Sequence, residues 1–265
     1  MKPTLDFVNQ IAVNAGDILK NFKREDLDIA HKSSRDLVTQ ADYASERYLI
    51  DAIQQVFPGH AIIAEESGES GGSKEHQWFI DPLDGTLNYA HGVPFYAVSI
   101  GYAYRGELTL GVVYDPERGE LFSAQRGSGA TLNGAPLQVS QYTELVDCML
   151  VTGFPQEADN SQDDNAANFI RFNTQAQTVR RLGSAALDMV YVAAGRLDGF
   201  WQVSIGQWDI AAGCLIVQEA GGVVTDLYGG PDYLQTPSTV VCANPVIHQK
   251  MLEVLAAVRA ERGVA

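Results

Sequence analysis

The stretch Trp78-Phe79-Ile80-Asp81-Pro82-Leu83-Asp84-Gly85-Thr86-Leu87-Asn88 opens with three bulky apolar residues and then packs two carboxylates and a hydroxyl into six positions. The apolar part reads as a buried strand, and Asp81 falls at its end. Pro82 restricts the turn that follows, and Gly85 lets backbone approach a ligand closely. If residues 85–88 open a helix, their free N–H groups face whatever the carboxylates hold, which makes an anion site. Asp-Pro and Asp-Gly pairs also make ordinary turns, so this stretch alone leaves a purely structural reading open.

Working outward, Ala61-Ile62-Ile63-Ala64 reads as a second short buried strand ending in Glu65-Glu66, so two acidic clusters sit at strand ends. Upstream, Leu5, Val8, Ile11, Ala12, Ala15, Ile18, Leu19 and Phe22 recur at helical spacing. A second helix is expected to start near Asp36 as N-cap and to run through Val38, Ala41, Tyr48, Ala52, Ile53 and Val56 until Pro58-Gly59, with Asp42 on its first turns. Downstream, residues 96–138 alternate β-rich runs with the turn signals Arg105-Gly106-Glu107, Asp115-Pro116-Glu117-Arg118-Gly119 and Asn133-Gly134, the pattern of an antiparallel meander. Mixed elements follow: strands near 148–152, 178–181, 200–203, Val223 and Val240, and helices near 165–175, 184–194, after Asp209 and at the C-terminus. Trp208-Asp209 lies at a loop-to-helix junction, where an N-cap role is the competing reading.

The 265 residues fit one large domain or two intimate halves. With 33 acidic and 18 basic residues the net charge is −15, which argues against sequence-independent nucleic-acid binding. An anionic substrate stays compatible if carboxylates converge on divalent cations, because the metal then sets the local field. No apolar run reaches bilayer length, and the Met1-Lys2-Pro3-Thr4 start lacks a signal-peptide core, so a cytoplasmic, non-membrane location is expected. Cys148, Cys214 and Cys242 are few, far apart and flanked by apolar residues, as buried thiols are. The histidines at 31, 60, 76, 91 and 248 show no ligand spacing, although His91, close to the acidic motif, fits a packing or a substrate role equally. The Asp- and Asn-rich segment 156–165 is not a calcium loop, since Asp164 and Ile170 stand where the turn glycine and bidentate glutamate belong, and it is read as a surface loop. Gly127-Ser128-Gly129 is not a dinucleotide fingerprint, because Leu132 occupies the third glycine position.

Taken together, Asp42, Glu65-Glu66, Asp81-Pro82-Leu83-Asp84-Gly85-Thr86 and Trp208-Asp209 with Gly213 resemble the signature of the lithium-sensitive, metal-dependent phosphomonoesterase superfamily. The flanks Asn88-Tyr89, His91-Gly92-Val93-Pro94-Phe95, Gly127-Ser128-Gly129-Ala130, Asn133-Gly134 and Glu219-Ala220-Gly221-Gly222 are most similar to the inositol monophosphatase family, over residues 5 to 258 or so. The resemblance implies an α/β (α+β) fold, a layered α-β-α-β-α sandwich, as one domain over 1–265, with an N-terminal half of about 1–145 and a C-terminal half of about 146–265. It also implies a homodimer and inhibition by lithium.

By that similarity, Glu65, Asp81 and the Leu83 carbonyl would hold one Mg²⁺, Asp81, Asp84 and Asp209 a second, and Glu65 with Asp81 a weaker third. Thr86, backed by Asp42, would orient or deprotonate the attacking water, with Glu66 also among the catalytic residues. Gly85 and Thr86 amides would bind phosphate, and Asp84, Gly183, Ser184, Ala185, Gln202 and Asp209 would meet the substrate. Gln202 departs from the pattern, since many family members carry glutamate seven residues before the WD aspartate; an amide donates as well as accepts. The implied reaction is Mg²⁺-dependent hydrolysis of myo-inositol monophosphate. Alternatives are the same chemistry on histidinol phosphate, fructose 1,6-bisphosphate or a nucleotide 3′-phosphate, or a protein-interaction role in a transcription complex, as in some bacterial relatives.

Overall fold

The computed structural model describes residues 1–22, 29–31, 37–154 and 165–263, and among these the chain forms fifteen strands and seven α-helices. Helices α1 (Leu5–Asn21) and α2 (Gln40–Val56) flank a short antiparallel pair, β1 (Ile29–His31) and β2 (Leu37–Thr39). There follow β3 (His60–Ala64), β4 (Gly68–Ser70), β5 (Ser73–Asp84), α3 (Thr86–His91), β6 (Ala97–Tyr104), β7 (Glu107–Asp115), β8 (Glu120–Gln125), β9 (Ala130–Leu132) and β10 (Ala135–Pro136). The strands of this run form an eight-stranded sheet in the order β10-β9-β8-β7-β6-β5-β3-β4, the expected meander extended by a parallel β3–β5 pair. The remainder comprises β11 (Met149–Thr152), α4 (Ala166–Gln175), β12 (Thr178–Arg180), α5 (Ala185–Ala193), β13 (Gly199–Ile205), α6 (Gln207–Glu219), β14 (Val223–Thr225), β15 (Ser238–Ala243) and α7 (Pro245–Arg262). Its strands make a five-stranded sheet, β12-β11-β13-β15-β14.

Strand alternation sorts these elements into layers. Trp78, Ile80, Val98, Ile100 and Val112 share one face of the large sheet with Val8, Ile11 and Leu19 of α1 and Leu49 and Ile53 of α2. The opposite face, with Phe79, Val113 and Phe122, packs on α5 and α6, whose far side meets Phe200, Val240 and Cys242 of the second sheet. Leu150, Trp201 and Val241 point the other way, against Phe172 of α4 and Met251 and Leu255 of α7. The result is the α-β-α-β-α sandwich.

Helix α6 is apolar all round because it is the middle layer: residues 210 to 217 are all buried. It sits directly on the backbone of the large sheet. Gly101 of β6 and Gly111 of β7 are register partners, and a Cβ at Gly101 would lie 2.8 Å from the Ala211 Cβ, one at Gly111 2.7 Å from the Ala212 carbonyl oxygen. That close seat fixes the height of the first turn of α6, which carries Asp209.

The structure corrects several local expectations. Helix α2 starts at Gln40 and is capped by Thr39, with Val38 in β2; Asp36 lies outside the described residues. The reason is a capping box in which the Thr39 amide donates to Asp42 Oδ2 at 2.8 Å. Strand β5 does not stop at Asp81 but reaches Asp84 through an irregularity between the two, where Pro82 removes no ladder bond. Asp209 lies inside the first turn of α6, not at its N-cap, and accepts the Gly206 amide at 2.9 Å. Of the supposed surface loop, residues 156–164 lie outside the described residues, and Asn165 is buried: its amide NH₂ donates to Thr152 Oγ1 and the Gly153 carbonyl, and its oxygen accepts the Trp201 indole N–H. The three cysteines are buried free thiols, as expected.

Candidate active site

Most candidate residues sit at or near the end of an element. The Glu65 amide donates to the Ile80 carbonyl at 3.2 Å, which holds the end of β3 beside the end of β5. Asp81 turns its Oδ1 back to accept the Leu83 amide at 2.9 Å, and the Pro82 carbonyl is held by Ser45 Oγ of α2 at 3.0 Å. Gly85, at φ 96°, makes the left-handed step that starts α3. Asp209 comes from the other half of the chain. One carboxylate oxygen each from Asp81, Asp84 and Asp209 lies within 4.8 Å of the others, and Glu65 faces all three closely enough to perturb them.

Electrostatics in this cluster are unfavourable as they stand. Burial, then the charges of Glu65, Asp84 and Asp209, pushes the Asp81 carboxyl well above the usual range. Asp209 is pushed up in the same way, by burial first and then by Asp84 and Glu65. Burial raises Asp84 to about 6, although hydrogen bonds from Ser184 Oγ at 2.5 Å and the Ala186 amide at 2.7 Å pull the other way. Among the described residues no lysine or arginine forms an ion pair with Asp81, Asp84 or Asp209. A divalent cation would supply the missing countercharge, and an all-oxygen donor set suits a hard ion such as Mg²⁺. The residues present therefore fit the metal.

Thr86 stands beside this cluster. Its Oγ1 lies 3.0 Å from both Asp42 Oδ1 and the Leu83 carbonyl oxygen, and with one proton it donates to one of them at a time. The other Asp42 oxygen takes the Thr39 amide and the Thr39 hydroxyl, at 2.8 and 2.6 Å. Burial raises Asp42 to about 6 against these bonds.

Gly183, at φ +90°, and Ser184, the N-cap of α5, with Ala185 behind it, are brought onto Asp84 by the Ser184 bond. Gln202 lies on β13 with its side-chain amide laid on Gly153, where a Cβ would stand 2.0 Å from Gln202 Oε1. The Glu66 amide donates to Glu46 Oε2 at 2.9 Å. Sequence reasoning missed Thr39, Ser45 and Glu46, all buried supports of the site from α2 and its cap. The pattern Thr39-x-x-Asp42 was a findable signal for the first. It also missed Asp188 of α5, whose carboxyl is buried with Oδ1 lacking a hydrogen-bond partner and is raised well above the usual range, by burial first and then by Asp84.

Layer order and carboxylate cluster together define a buried acidic site that fits a divalent cation. Residues 1–262 match the inositol monophosphatase family model. The "Nus factor SuhB" of Salmonella typhimurium is 44% identical over 255 residues, 95% of each chain, and an "Inositol-1-monophosphatase" of Mesorhizobium japonicum is 40% identical over 252 residues, 94% of each. The solved inositol monophosphatase of Anabaena (Nostoc) superposes with a TM-score of 0.87 at 40% identity, covering 96% of this chain and 95% of its own. This chain belongs to the inositol monophosphatase family, a family of phosphoric monoester hydrolases.

Proposed function

We propose that the chain hydrolyses a small polyol phosphate, with myo-inositol monophosphate as the leading substrate, and that Mg²⁺ held by Glu65, Asp81, the Leu83 carbonyl, Asp84 and Asp209 is its cofactor. The observation that carries this reading is the Thr86 hydroxyl, set between Asp42 and the Leu83 carbonyl at 3.0 Å from each and next to the carboxylate cluster. A hydroxyl that hands its proton to Asp42 has lone pairs left to receive one from an approaching water. Bound Mg²⁺ would supply charge stabilisation for the phosphoryl oxygens and the leaving oxygen. The chain's own part is to orient water through Thr86 and Asp42, to meet phosphate with the Gly85 and Thr86 amides, and to receive the alcohol at Asp84 and the 183–185 loop. Homodimer formation, lithium inhibition and a cytoplasmic location belong to the same reading.

Gln202 motivates a narrower alternative, a different monoester as the best substrate, because an amide in place of a carboxylate changes which hydroxyl hydrogen bonds are available. The names of the Nus-factor relatives motivate a role in a transcription complex beside catalysis. Phosphate release from inositol 1-phosphate, histidinol phosphate, fructose 1,6-bisphosphate and adenosine 3′,5′-bisphosphate, with Mg²⁺ and with chelator, tests all three. Metal-dependent turnover led by the inositol ester supports the proposal, and preference for another ester renames the substrate. No turnover on any overturns the catalytic reading and leaves the partner role.

A further inference from the structure

The backbones of Gly85, Phe95 and Gly183 meet beside Asp84. A Cβ at Gly85 would stand 3.0 Å from the Phe95 carbonyl oxygen and 3.2 Å from that of Gly183. The Asn88 side chain closes the gap from α3. Its Nδ2 lies 2.8 Å from the Phe95 carbonyl oxygen and 2.8 Å from the Leu182 carbonyl oxygen. Two acceptors can only be met by the NH₂ end of the amide, so both of its protons are committed, one to each loop. Gly183 follows at once, and a Cβ there would be 2.9 Å from the same nitrogen. The first of these loops is braced separately, since Arg118 Nη1 donates to the Pro94 carbonyl at 2.8 Å and to Asp115 Oδ2 at 2.8 Å. Among the described residues, the loop at 182–185 is tied on this side by Asn88 and, through Ser184 and Ala186, by Asp84.

We propose that Asn88 is a positioning residue that sets the spacing between the phosphate-side turn at Gly85-Thr86 and the loop at Gly183-Ser184-Ala185, and thereby governs how tightly the alcohol portion of the ester is held. The inference rests on the phosphatase reading above for its kinetic consequence, although the clasp itself is a property of the ligand-free fold. Asn88 touches neither the carboxylate cluster nor the Thr86–Asp42 pair through any of these bonds. Its loss should loosen one wall of the site and leave the reacting centre in place. An ester whose alcohol has no hydroxyls to offer that wall should not notice.

Two variants test it. Asn88→Ala removes the clasp, and Asn88→Asp keeps the volume while exchanging the donors for acceptors that face two carbonyls. Hydrogen exchange on the metal-free protein should accelerate in peptides covering residues 182–187 in both variants. With saturating Mg²⁺, KM for inositol 1-phosphate should rise about tenfold, the factor carried by one lost buried hydrogen bond, while kcat/KM for p-nitrophenyl phosphate stays within about twofold. Unchanged exchange overturns the clasp. Equal losses on the two esters, or wild-type kinetics in Asn88→Asp, overturn the positioning role. If the unsubstituted protein hydrolyses neither ester, the phosphatase reading has failed and the exchange result alone decides the clasp.

Discussion

Replacing Gly101 by alanine should damage the site through α6, the helix that carries Asp209. The new Cβ would stand 2.8 Å from the Ala211 Cβ and 3.1 Å from the Ala212 amide nitrogen. Carbon atoms in good contact are about 3.5–4.0 Å apart, so α6 must lift by roughly 0.7–1.2 Å. Neither partner can turn away, because one is a methyl group fixed on a helix and the other is backbone. Overpacking of this kind costs about 1–3 kcal/mol, and for a chain of this size that lowers Tm by roughly 2–5 °C. Asp209 lies on the same helix two residues before Ala211, so the lift also carries it away from Asp81 and Asp84. A misplacement near 1 Å can lower turnover by about 10²-fold. The assay is thermal unfolding with and without Mg²⁺, followed by phosphate release, with Gly71→Ala as control because nothing lies within 4 Å of its Cβ position. A Gly101→Ala protein with the Tm and Mg²⁺ response of the control would refute the argument that helix height sets the site.

Asp81→Asn should lower turnover by more than about 100-fold, yet raise the Tm of the metal-free protein, since it removes a buried charge that three other carboxylates oppose; retained activity would sink the proposed ligand set. Asp42 and Asp84 keep their protons to about 6, against 3.8 for an ordinary aspartate. The folded state therefore binds more protons than the unfolded one between these values, and the associated stability is full below the lower pKa and lost as pH rises through the upper. In chelator, Tm should fall from about pH 4 to about pH 7, and Mg²⁺ should flatten the fall; a flat profile without metal would contradict the crowding of charge. Gln202→Glu should keep hydrolysis of p-nitrophenyl phosphate and change relative kcat/KM for inositol 1-phosphate by about tenfold, and an unchanged ratio would remove Gln202 from substrate contact.

The acidic ends of β3 and β5 were legible because apolar runs stopping at carboxylates are a local pattern, and the meander was legible from its turns. Other features depended on what lay across the fold. Pro82 argues against a continuing strand, and only the irregularity opposite β6 lets β5 run on to Asp84. Asp36 and Thr39 are both N-cap residue types, and the reciprocal bonds between Thr39 and Asp42 decide for Thr39. Asn165 was read with its polar neighbours, whereas its burial is decided by Thr152 and Trp201, thirteen and thirty-six positions away. Gly101 and Gly111 look like ordinary strand interruptions until α6 is laid on them. Alternation told which residues share a face, but not which layer that face would meet.

Asp84 divides its carboxylate between the two halves of the chain. Oδ2 accepts from Ser184 and Ala186, and an oxygen of the same carboxylate joins the cluster with Asp81 and Asp209. An ion drawing on this carboxylate and an alcohol settling on the 183–185 loop would pull on the same rigid group, so their affinities are linked. Thermodynamic reciprocity then requires each to change the affinity of the other by one common factor. Calorimetric titration of Mg²⁺ with and without saturating inositol, and of inositol with and without saturating Mg²⁺, reads that factor twice. A factor of one in both directions would mean that the two ends of Asp84 do not communicate.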